Sequence, residues 1–424
     1  MELLLKNGYV VDSANSFEGV ADIAIHDGLI RRVAKEIPTE DFDEVIDCTG
    51  RTVIPGICDM HVHLRDPGQT HKEDIITGGE AAAAGGVTAV ACMPNTTPPV
   101  DNAQTVAYIL EKAKSSKVKV YPVGCITKGL GGEELCDFEE LRRAGCVAVS
   151  DDGKPVLNAK VMARAMVKAH YAGLKVLSHC EVPEIICGGI INSGKVSEEL
   201  GVKGMHRLSE DIGTSREITI ATDLEMPIHI CHVSTATSMQ NIRIAARYGS
   251  MVTSETAPHY FMLTDELLRS RDADYRMNPP LRTADDVLAI TEGICDGTID
   301  CIITDHAPHS PEEKADFEKA PNGVVGLETS LAATLTALYH TGKISMQRVV
   351  ALMCVNPRKI LGIPGGSFTE GEPADIAIFD PDEEWTVDPA KLHSKSKNTC
   401  FKGMTLRGRV KTTIVDGKVV YEDK

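Results

Sequence analysis

Short apolar runs rich in β-branched residues alternate with longer segments of helix-forming residues through the middle of the chain. Each run has the length of a buried strand, and each intervening segment has the length of a helix. The predicted strands cover residues 52–58, 86–94, 117–126, 146–150, 175–179, 227–233, 250–256 and 299–305. Strict alternation of strand and helix, repeated eight times, predicts a parallel (β/α)8 barrel of the TIM type.

The main alternative for this alternation is a doubly wound open sheet. That fold binds phosphate at a glycine-rich loop between a strand and the following helix. The chain has no glycine-rich loop at a predicted strand-to-helix turn. The barrel is therefore the fold that we expect.

Both ends of the chain have a different pattern, in which short strands are separated by tight turns. The predicted strands cover residues 2–7, 20–26, 29–33 and 44–48 at one end and 374–379, 409–415 and 418–422 at the other. Neither end can bury a core alone, so we expect the two to pair into one small β-sandwich. The predicted α/β protein thus has a barrel domain, residues 54–367, and a β-sandwich domain made from residues 1–53 and 368–424.

Composition narrows the class of protein and of partner. Of the 424 residues, 42% are hydrophobic and 25% are charged, which is typical of an ordinary soluble protein. The net charge of −17 argues against nucleic acid or an anionic membrane as a partner. No signal peptide and no apolar run of membrane-spanning length is recognisable. The 13 cysteines form no Cys-x-x-Cys pair. We expect a cytoplasmic protein whose thiols are reduced and structural.

The first candidate for chemistry is the pair His61 and His63, at the end of the first predicted barrel strand. Residues i and i+2 of a strand point to the same face, so both imidazoles can reach one metal ion. Arg65 continues on that side, and its planar guanidinium suits an anionic substrate because it can bind a carboxylate through two hydrogen bonds.

Other predicted strands also end in polar residues. These are Asn95 after the second strand, Asp151 and Asp152 after the fourth, His179 after the fifth, His232 after the sixth, Glu255 and His259 after the seventh, and Asp305, His306 and His309 after the eighth. In a (β/α)8 barrel the carboxyl ends of the strands meet at one rim. Four of these histidines and two of these aspartates, if they converge at the rim, would repel one another or stay unpaired unless a cation lay among them. Zinc suits imidazole and carboxylate ligands, so the rim predicts a pair of zinc ions.

Four motifs make the likeness to a known family specific. They are Asp59-Met60-His61-Val62-His63-Leu64-Arg65-Asp66-Pro67-Gly68, Met93-Pro94-Asn95-Thr96, Arg276-Met277-Asn278-Pro279-Pro280-Leu281-Arg282 and Thr304-Asp305-His306-Ala307-Pro308-His309. The chain resembles the dihydroorotases of the amidohydrolase superfamily over nearly its whole length, and it is most similar to the class I bacterial type.

The resemblance implies which residues bind the metals. His61, His63 and Asp305 would bind one zinc ion, His179 and His232 would bind a second, and Asp305 would also transfer protons as the catalytic residue. Class I enzymes have an aspartate after strand four where relatives bridge the metals with a carboxylated lysine. The spacing to His179 favours Asp152 for this position and leaves Asp151 as the alternative.

The resemblance also implies the substrate contacts. Arg65, Asn95 and His309 would hold the free carboxylate, His63 would lie against the substrate, and Asn278 with the backbone of Asn322 and Gly323 would meet the ring amides. Many relatives have an aromatic residue at position 322, so a backbone contact is expected at Asn322 and a side-chain contact is not.

The implied activity is the zinc-dependent, reversible interconversion of N-carbamoyl-L-aspartate and (S)-dihydroorotate plus water in de novo pyrimidine biosynthesis. The nearest competing function is that of a hydantoinase, dihydropyrimidinase or allantoinase, against which Arg65, Asn95 and the strand-four aspartates argue. A non-catalytic subunit of a pyrimidine-pathway assembly is a further alternative, although every expected ligand position is filled. The resemblance makes a homodimer plausible, and the sequence does not determine whether the protein associates with an aspartate transcarbamoylase.

The remaining polar residues are expected to play smaller parts. His259 and His306 lie close enough to the site to orient metal ligands. The isolated histidines are expected to be structural or surface residues, and they are His26, His71, His170, His206, His229, His340 and His393. The charged segment 312–319 after the last strand is expected to be solvated, with a role as a lid as the alternative.

Overall fold

The structure is a computed structural model, and it describes residues 2–423 of the chain. In the described part, the strands in chain order are β1 (Glu2–Asp12), β2 (Phe17–His26), β3 (Leu29–Ala34), β4 (Glu44–Asp47), β5 (Thr52–Pro55), β6 (Ile57–Val62), β7 (Val87–Cys92), β8 (Lys119–Gly124), β9 (Ala148–Val149), β10 (Lys175–Ser178), β11 (Ile191–Asn192), β12 (Gly204–Met205), β13 (Ile228–Ile230), β14 (Val252–Thr256), β15 (Cys301–Ile302), β16 (Ile376–Thr386), β17 (Thr405–Val415) and β18 (Lys418–Glu422).

The α-helices of the same residues are α1 (Ile75–Ala84), α2 (Ala103–Ala113), α3 (Phe138–Ala144), α4 (Ala159–Tyr171), α5 (Pro183–Ile186), α6 (Lys195–Leu200), α7 (Leu208–Asp223), α8 (Ala236–Arg247), α9 (Pro258–Met262), α10 (Ala284–Asp296), α11 (Pro311–Lys314), α12 (Ser330–Thr334), α13 (Met346–Val350) and α14 (Asn356–Leu361). None of the helices formed by residues 2–423 is long and apolar enough to span a membrane.

Eight parallel strands form the barrel, in the order β6, β7, β8, β9, β10, β13, β14, β15. The ring closes between its first and last strands through a parallel bridge that pairs Val62 with His306. Beside this bridge, Asp59 of β6 accepts hydrogen bonds from Thr304, at 3.1 Å from the backbone N–H and 2.5 Å from the hydroxyl. The predicted (β/α)8 barrel is confirmed, and its closure brings the ends of the first and eighth strands together.

The first predicted barrel strand, residues 52–58, is in fact two strands that separate at Gly56. Residues Thr52–Pro55 form β5, which pairs with β1 and β16 of the terminal sheet, whereas β6 pairs with β7 of the barrel. A side chain at Gly56 would lie 2.2 Å from the Thr88 hydroxyl, so only glycine permits this close crossing. Because the barrel strand runs to Val62, His61 lies within it and His63 follows it.

Strands from both ends of the chain form a second sheet, in the order β18, β17, β16, β5, β1, β2, β3, with β4 also paired to β1. Its buried side chains come from both ends, as Leu5 and Ile25 lie in one core cluster with Ile376 and Ile414. The predicted pairing of the two terminal β segments is thus confirmed. Where the domains begin and end remains a prediction.

The barrel interior contains small and sulfur-containing side chains. Cys58, Met60, Ala89, Ala91 and Cys231 are among the residues of this cluster. The 13 cysteines are all unpaired, and 11 of them are buried, as expected for thiols that act as small apolar residues. A larger apolar cluster packs the outer helices onto the strands.

Candidate metal and substrate site

The histidines and aspartates predicted at the strand ends meet at the carboxyl end of the barrel. Nε2 of His61 lies 3.4 Å from Asp152 Oδ1 and 3.7 Å from Asp305 Oδ1. Nε2 of His63 lies 3.1 Å from Asp305 Oδ1 and 3.5 Å from Asp152 Oδ2. Donor atoms of His61, His63 and Asp305 are therefore close enough to one another to bind one ion.

A second group of donor atoms adjoins the first through Asp152. Nδ1 of His179 lies 2.8 Å from Nε2 of His232, and the two nitrogens lie 3.5 and 3.7 Å from Asp152 Oδ1. His61, Asp152 and His232 also form a group that could hold an ion. Asp152 thus contacts both groups, as a bridging carboxylate would.

The two neighbouring aspartates after the fourth strand have different surroundings. Asp151 accepts hydrogen bonds from the backbone N–H groups of Ile126 and Thr127, at 2.8 and 3.1 Å, and from the Thr127 hydroxyl. Burial raises the pKa of Asp151 to about 6. Asp152 instead points at the histidines, and the exposed Lys154 lies outside the site. The structure therefore favours Asp152 over Asp151.

The donor atoms fit a metal ion because two of them are buried without a hydrogen-bond partner. Nε2 of His61 and Oδ1 of Asp152 are buried and make no hydrogen bond with any residue from 2 to 423. Such atoms are costly unless something satisfies them. Burial by itself would raise the pKa of Asp152, but the imidazoles of His179, His232 and His61 hold it well below its usual value. An ionised carboxylate among imidazole nitrogens is the ligand chemistry of zinc.

A buried carboxylate inside the barrel orients His61. Oε1 of Glu255 lies 2.6 Å from His61 Nδ1, and Oε2 lies 3.1 Å from His229 Nε2. Nδ1 of His229 in turn lies 2.8 Å from the Thr253 hydroxyl. Burial would raise the pKa of Glu255, but His61 and His229 lower it strongly. The sequence analysis places Glu255 at a strand end but treats His229 as structural, because no local pattern shows that the two side chains meet.

His306 and His259 are the two histidines expected to orient metal ligands. The imidazole ring of neither one contacts a proposed ligand. The backbone carbonyl of His306 accepts a 2.8 Å hydrogen bond from the His63 N–H, while its ring lies between Gly326 and Glu73. His259 is buried against Tyr260, and its Nε2 has no hydrogen-bond partner in the described chain. Burial lowers the pKa of His259 to about 4, so it is neutral at physiological pH.

Arg65, His309 and Lys72 lie on the side of the site opposite the proposed metal ligands. The Nε–H of Arg65 donates to the Pro308 carbonyl at 3.2 Å, and Nη2 lies 3.2 Å from His309 Nε2. That same His309 nitrogen lies 2.9 Å from the Asn322 carbonyl oxygen, and Lys72 Nζ lies 3.5 Å from Nδ1. Burial, Arg65 and Lys72 lower the pKa of His309 to about 3, so the ring is neutral. Among residues 2–423, Arg65 has no carboxylate within salt-bridge distance, so its charge is free to meet an anion.

Two of the predicted asparagines, Asn95 and Asn278, contact residues of the candidate metal site. Oδ1 of Asn95 lies 2.9 Å from His63 Nδ1, and its amide group donates to Asp152 Oδ2 at 3.2 Å. The Asn278 amide donates to Glu181 Oε2 at 2.6 Å, and that oxygen lies 3.2 Å from His179 Nε2. Both asparagines therefore also hold the neighbouring histidines in position.

A cavity of about 220 Å³ separates the two sides of the site. It is lined by His63, Arg65, Asn95, Asp152, Gly153, His179, His232, Asn278, Asp305, Ala307, His309, Asn322 and Gly323. His61 lies directly behind this lining, with a fully buried side chain. The N–H of Gly323 donates to the Arg276 carbonyl, so a substrate at Gly323 would share that donor. The residues proposed as metal ligands and substrate contacts thus line this cavity, except for His61, which lies directly behind it.

Three residues of the site have a left-handed backbone, which is uncommon outside glycine. The φ angles are 58° at Arg65, 35° at His232 and 49° at Asp305. Such conformations cost about 1–3 kcal/mol each, and the surrounding structure must impose them. Each of the three lies two or three residues after the end of a barrel strand, and all three line the same cavity.

Comparisons with known proteins show the family to which the chain is similar. The family model described as Dihydro-orotase-like matches residues 50–238. A dihydroorotase of Citrifermentans bemidjiense is 49% identical over 424 residues, with all of both chains covered. A dihydroorotase of Trichlorobacter lovleyi is 47% identical over 426 residues, again with both chains fully covered.

Solved structures show the same fold. The L-hydantoinase (dihydropyrimidinase) of Arthrobacter aurescens has a TM-score of 0.89 and 26% identity, and the match covers 99% of this chain and 96% of the hydantoinase. A dihydropyrimidinase of Brevibacillus agri has a TM-score of 0.88 at 24% identity, with 100% and 96% covered, and it shows similarity of fold alone.

Proposed function

The chain belongs to the dihydroorotase family, and we propose that its cavity is where it interconverts N-carbamoyl-L-aspartate and (S)-dihydroorotate plus water. This is the cyclic amide hydrolase step of pyrimidine biosynthesis that the family name denotes. One observation carries the assignment to this cavity: it has unsatisfied metal-ligand atoms on one side and an unpaired guanidinium on the other. A cyclic amide with a carboxylate substituent needs both.

We assign the metal ligands as follows. His61, His63 and Asp305 would hold one zinc ion, His179 and His232 would hold a second, and Asp152 would bridge the two. The orphaned Nε2 of His61 and Oδ1 of Asp152 support this assignment. When bound, zinc lowers the pKa of water towards neutrality and polarises a carbonyl group.

Arg65 and His309 would bind the substrate carboxylate. A guanidinium binds a carboxylate through two parallel hydrogen bonds. The guanidinium of Arg65 is already held in place by its hydrogen bond to the Pro308 carbonyl. A neutral His309 has a single ring N–H, and its Nε2 lies 2.9 Å from the Asn322 carbonyl oxygen. A bound carboxylate would share or take over this donor, without a further charge that would have to be buried. Asn95 is close enough to add an amide contact, and His63 would lie against the bound ring.

Asn278 and the backbone of Asn322 and Gly323 would contact the ring amides. The Asn278 amide nitrogen donates to Glu181, so its Oδ1 is the atom left to accept a hydrogen bond from a ring N–H. The Asn322 side chain accepts from Arg276 at 3.3 Å, which agrees with a backbone role at this position.

Asp305 would move the proton. Burial would raise its pKa, but His63, His61 and His232 lower it below the usual value, so it is an ionised base at neutral pH. In hydrolysis, the oxygen of water bonds to the ring carbonyl carbon and the ring C–N bond breaks. One proton of the water passes through Asp305 to the leaving nitrogen, and the other is released as the new carboxyl group ionises. Ring closure is the reverse.

The substrate is a small molecule, and cytoplasmic location and the oligomeric state remain proposals. The 13 unpaired cysteines support a reducing compartment.

The test is an ultraviolet absorbance assay of dihydroorotate with purified protein of measured zinc content. Chelated and zinc-restored samples run in parallel, with dihydrouracil as a neutral-ring control. We expect loss of dihydroorotate that disappears on chelation, returns with zinc and is not seen with dihydrouracil. Turnover of dihydrouracil alone would assign the protein to the neutral-ring hydrolases, whereas no turnover of either ring by the zinc-loaded protein would overturn the enzymatic role.

A further inference from the structure

Lys314 is a buried lysine in a segment that the sequence analysis expects to be solvated. It is the last residue of α11, and only 8% of its surface is exposed. Its Nζ donates to three backbone carbonyls, at 3.0 Å to Gly323, 3.1 Å to Pro321 and 3.3 Å to Arg276. All three donors of the ammonium group are thus used within the protein. A buried charge is costly, so these contacts must replace much of its hydration.

Asn398 reaches the same place from the C-terminal part of the chain. It is buried, and its amide group donates to the carbonyls of Gly323 at 3.0 Å and Ala307 at 3.4 Å. Its Oδ1 accepts a 3.1 Å hydrogen bond from the His309 N–H. Asn398 therefore ties the backbone on both sides of the predicted carboxylate-binding histidine.

Both side chains converge on Gly323, which has no side chain to anchor it. A Cβ at this glycine would lie 2.7 Å from the Ala307 carbonyl oxygen and 3.1 Å from His309 Cδ2, and its φ is 139°. The wall of the cavity at Gly323 is bare backbone, so its position depends on the side chains that bind the Gly323 carbonyl. Those partners are Lys314 and Asn398.

We propose that Lys314 and Asn398 are positioning residues for substrate recognition, which hold the His309 and Asn322–Gly323 wall of the cavity without touching the substrate. The proposal rests on the function proposed above and deepens it, because it concerns how the carboxylate end of the pocket is built. The metal ligands are held by other contacts, namely Glu255, Asn95 and Glu181. Disturbing Lys314 or Asn398 should therefore weaken substrate binding more than turnover.

The experiment compares Lys314→Met with Lys319→Met, which changes an exposed lysine of the same segment. Lys314→Met removes a charged hydrogen-bond donor from the Gly323 carbonyl, so we expect it to raise the Michaelis constant for dihydroorotate at least about tenfold. Its kcat should stay within a factor of about three, because the loss is one of ground-state binding. Zinc content should match the wild type, and Lys319→Met should behave as the wild type throughout.

Asn398→Asp is the second variant, and it decides the question if Lys314→Met does not fold. Aspartate keeps the acceptor for the His309 N–H but loses the donors to Gly323 and Ala307, so the Michaelis constant should rise again with kcat nearly preserved. Because both residues bind the Gly323 carbonyl, the double variant should show less than the product of the two single effects.

The outcomes separate this proposal from the proposed function. An active wild type with unchanged Michaelis constants in both variants would overturn the positioning role alone. Loss of zinc, or a fall in kcat with an unchanged Michaelis constant, would overturn it too, because the residues would then act on the metal centre. An inactive zinc-loaded wild type would overturn the proposed function itself.

Discussion

Arg65 brings a positive charge to a cavity in a chain whose net charge is −17. Burial lowers the pKa of its guanidinium to about 10, which still leaves it charged at neutral pH. His309 beside it is neutral, so the charge of Arg65 is not doubled by a second buried cation in direct contact. We therefore expect anion binding to depend on the local placement of this one side chain and not on the overall charge.

Replacing Arg65 with lysine tests this placement. Lysine keeps the charge but cannot form two parallel hydrogen bonds, so we expect the Michaelis constant for dihydroorotate to rise by about tenfold or more. Steady-state kinetics measure the effect. Arg31→Lys changes an exposed arginine of β3 and should leave the constant unaltered. An unchanged constant in Arg65→Lys would rule out the carboxylate clamp.

Replacing Asp305 with asparagine tests the proton transfer. Asparagine has nearly the same shape and can still offer an oxygen, but it cannot accept a proton at neutral pH. We expect kcat to fall by about 10²–10⁴-fold, while most of the zinc stays bound through the remaining ligands. Kinetics and zinc analysis on the same preparation measure both quantities, and near-normal turnover would refute the proton-transfer role.

At the scale of elements, contacts between strands explain how His61, a proposed metal ligand, is held in its orientation. His61 of β6 contacts Glu255 of β14, which in turn contacts His229 of β13. Side chains from three strands thus meet inside the barrel below the site. Metal-binding histidines usually need such a partner for the second ring nitrogen, because it sets the tautomer and the ring orientation.

We expect Glu255→Gln to reduce zinc affinity by about 10–100-fold, the usual effect of removing such a partner. The amide keeps the volume of the carboxylate but removes its charge from His61. Competition with a chelator measures the affinity without relying on activity. Glu111→Gln, at an exposed glutamate of α2, is the control and should bind zinc as the wild type does. Equal affinities in both variants would exclude the role of Glu255.

At the scale of the whole molecule, Arg358 joins the barrel to the terminal sheet. Its fully buried guanidinium donates to the Gly56 carbonyl at 2.6 Å and to the Thr88 hydroxyl at 2.9 Å, and it lies 3.9 Å from Asp375. Gly56 is the point at which the chain leaves the terminal sheet for the barrel, and its N–H donates to the Asp375 carbonyl. Arg358 therefore fixes the junction from which β6 and its histidines extend.

Removing this arginine should destabilise the protein as a whole. We expect Arg358→Met to lower the free energy of unfolding by about 3–5 kcal/mol, because the buried Gly56 carbonyl and Thr88 hydroxyl each lose a hydrogen bond from a charged donor. Asp375 keeps its 2.9 Å contact with Lys119. Denaturant unfolding followed by circular dichroism measures the change. Lys359→Met alters the neighbouring exposed residue and should change stability little. A similar small effect in both variants would contradict the structural role of Arg358.

The sequence by itself determined the features that depend on near neighbours. Alternating apolar and helix-forming segments predicted the barrel, and the two-residue spacing of His61 and His63 predicted a shared face. Strand ends predicted the rim on which Asp152, His179, His232 and Asp305 meet, since parallel strands of a barrel end together.

Only the tertiary structure decided which side chains become partners across the fold. Asp151 and Asp152 are adjacent and identical in type, and the Thr127 loop binds one of them and leaves the other to the histidines. Lys314, Glu255 and Asn398 likewise gain their roles from residues far away in the chain. Such contacts depend on the curvature of the barrel and on how the chain ends pack against it, and no local pattern of polar and apolar residues encodes them.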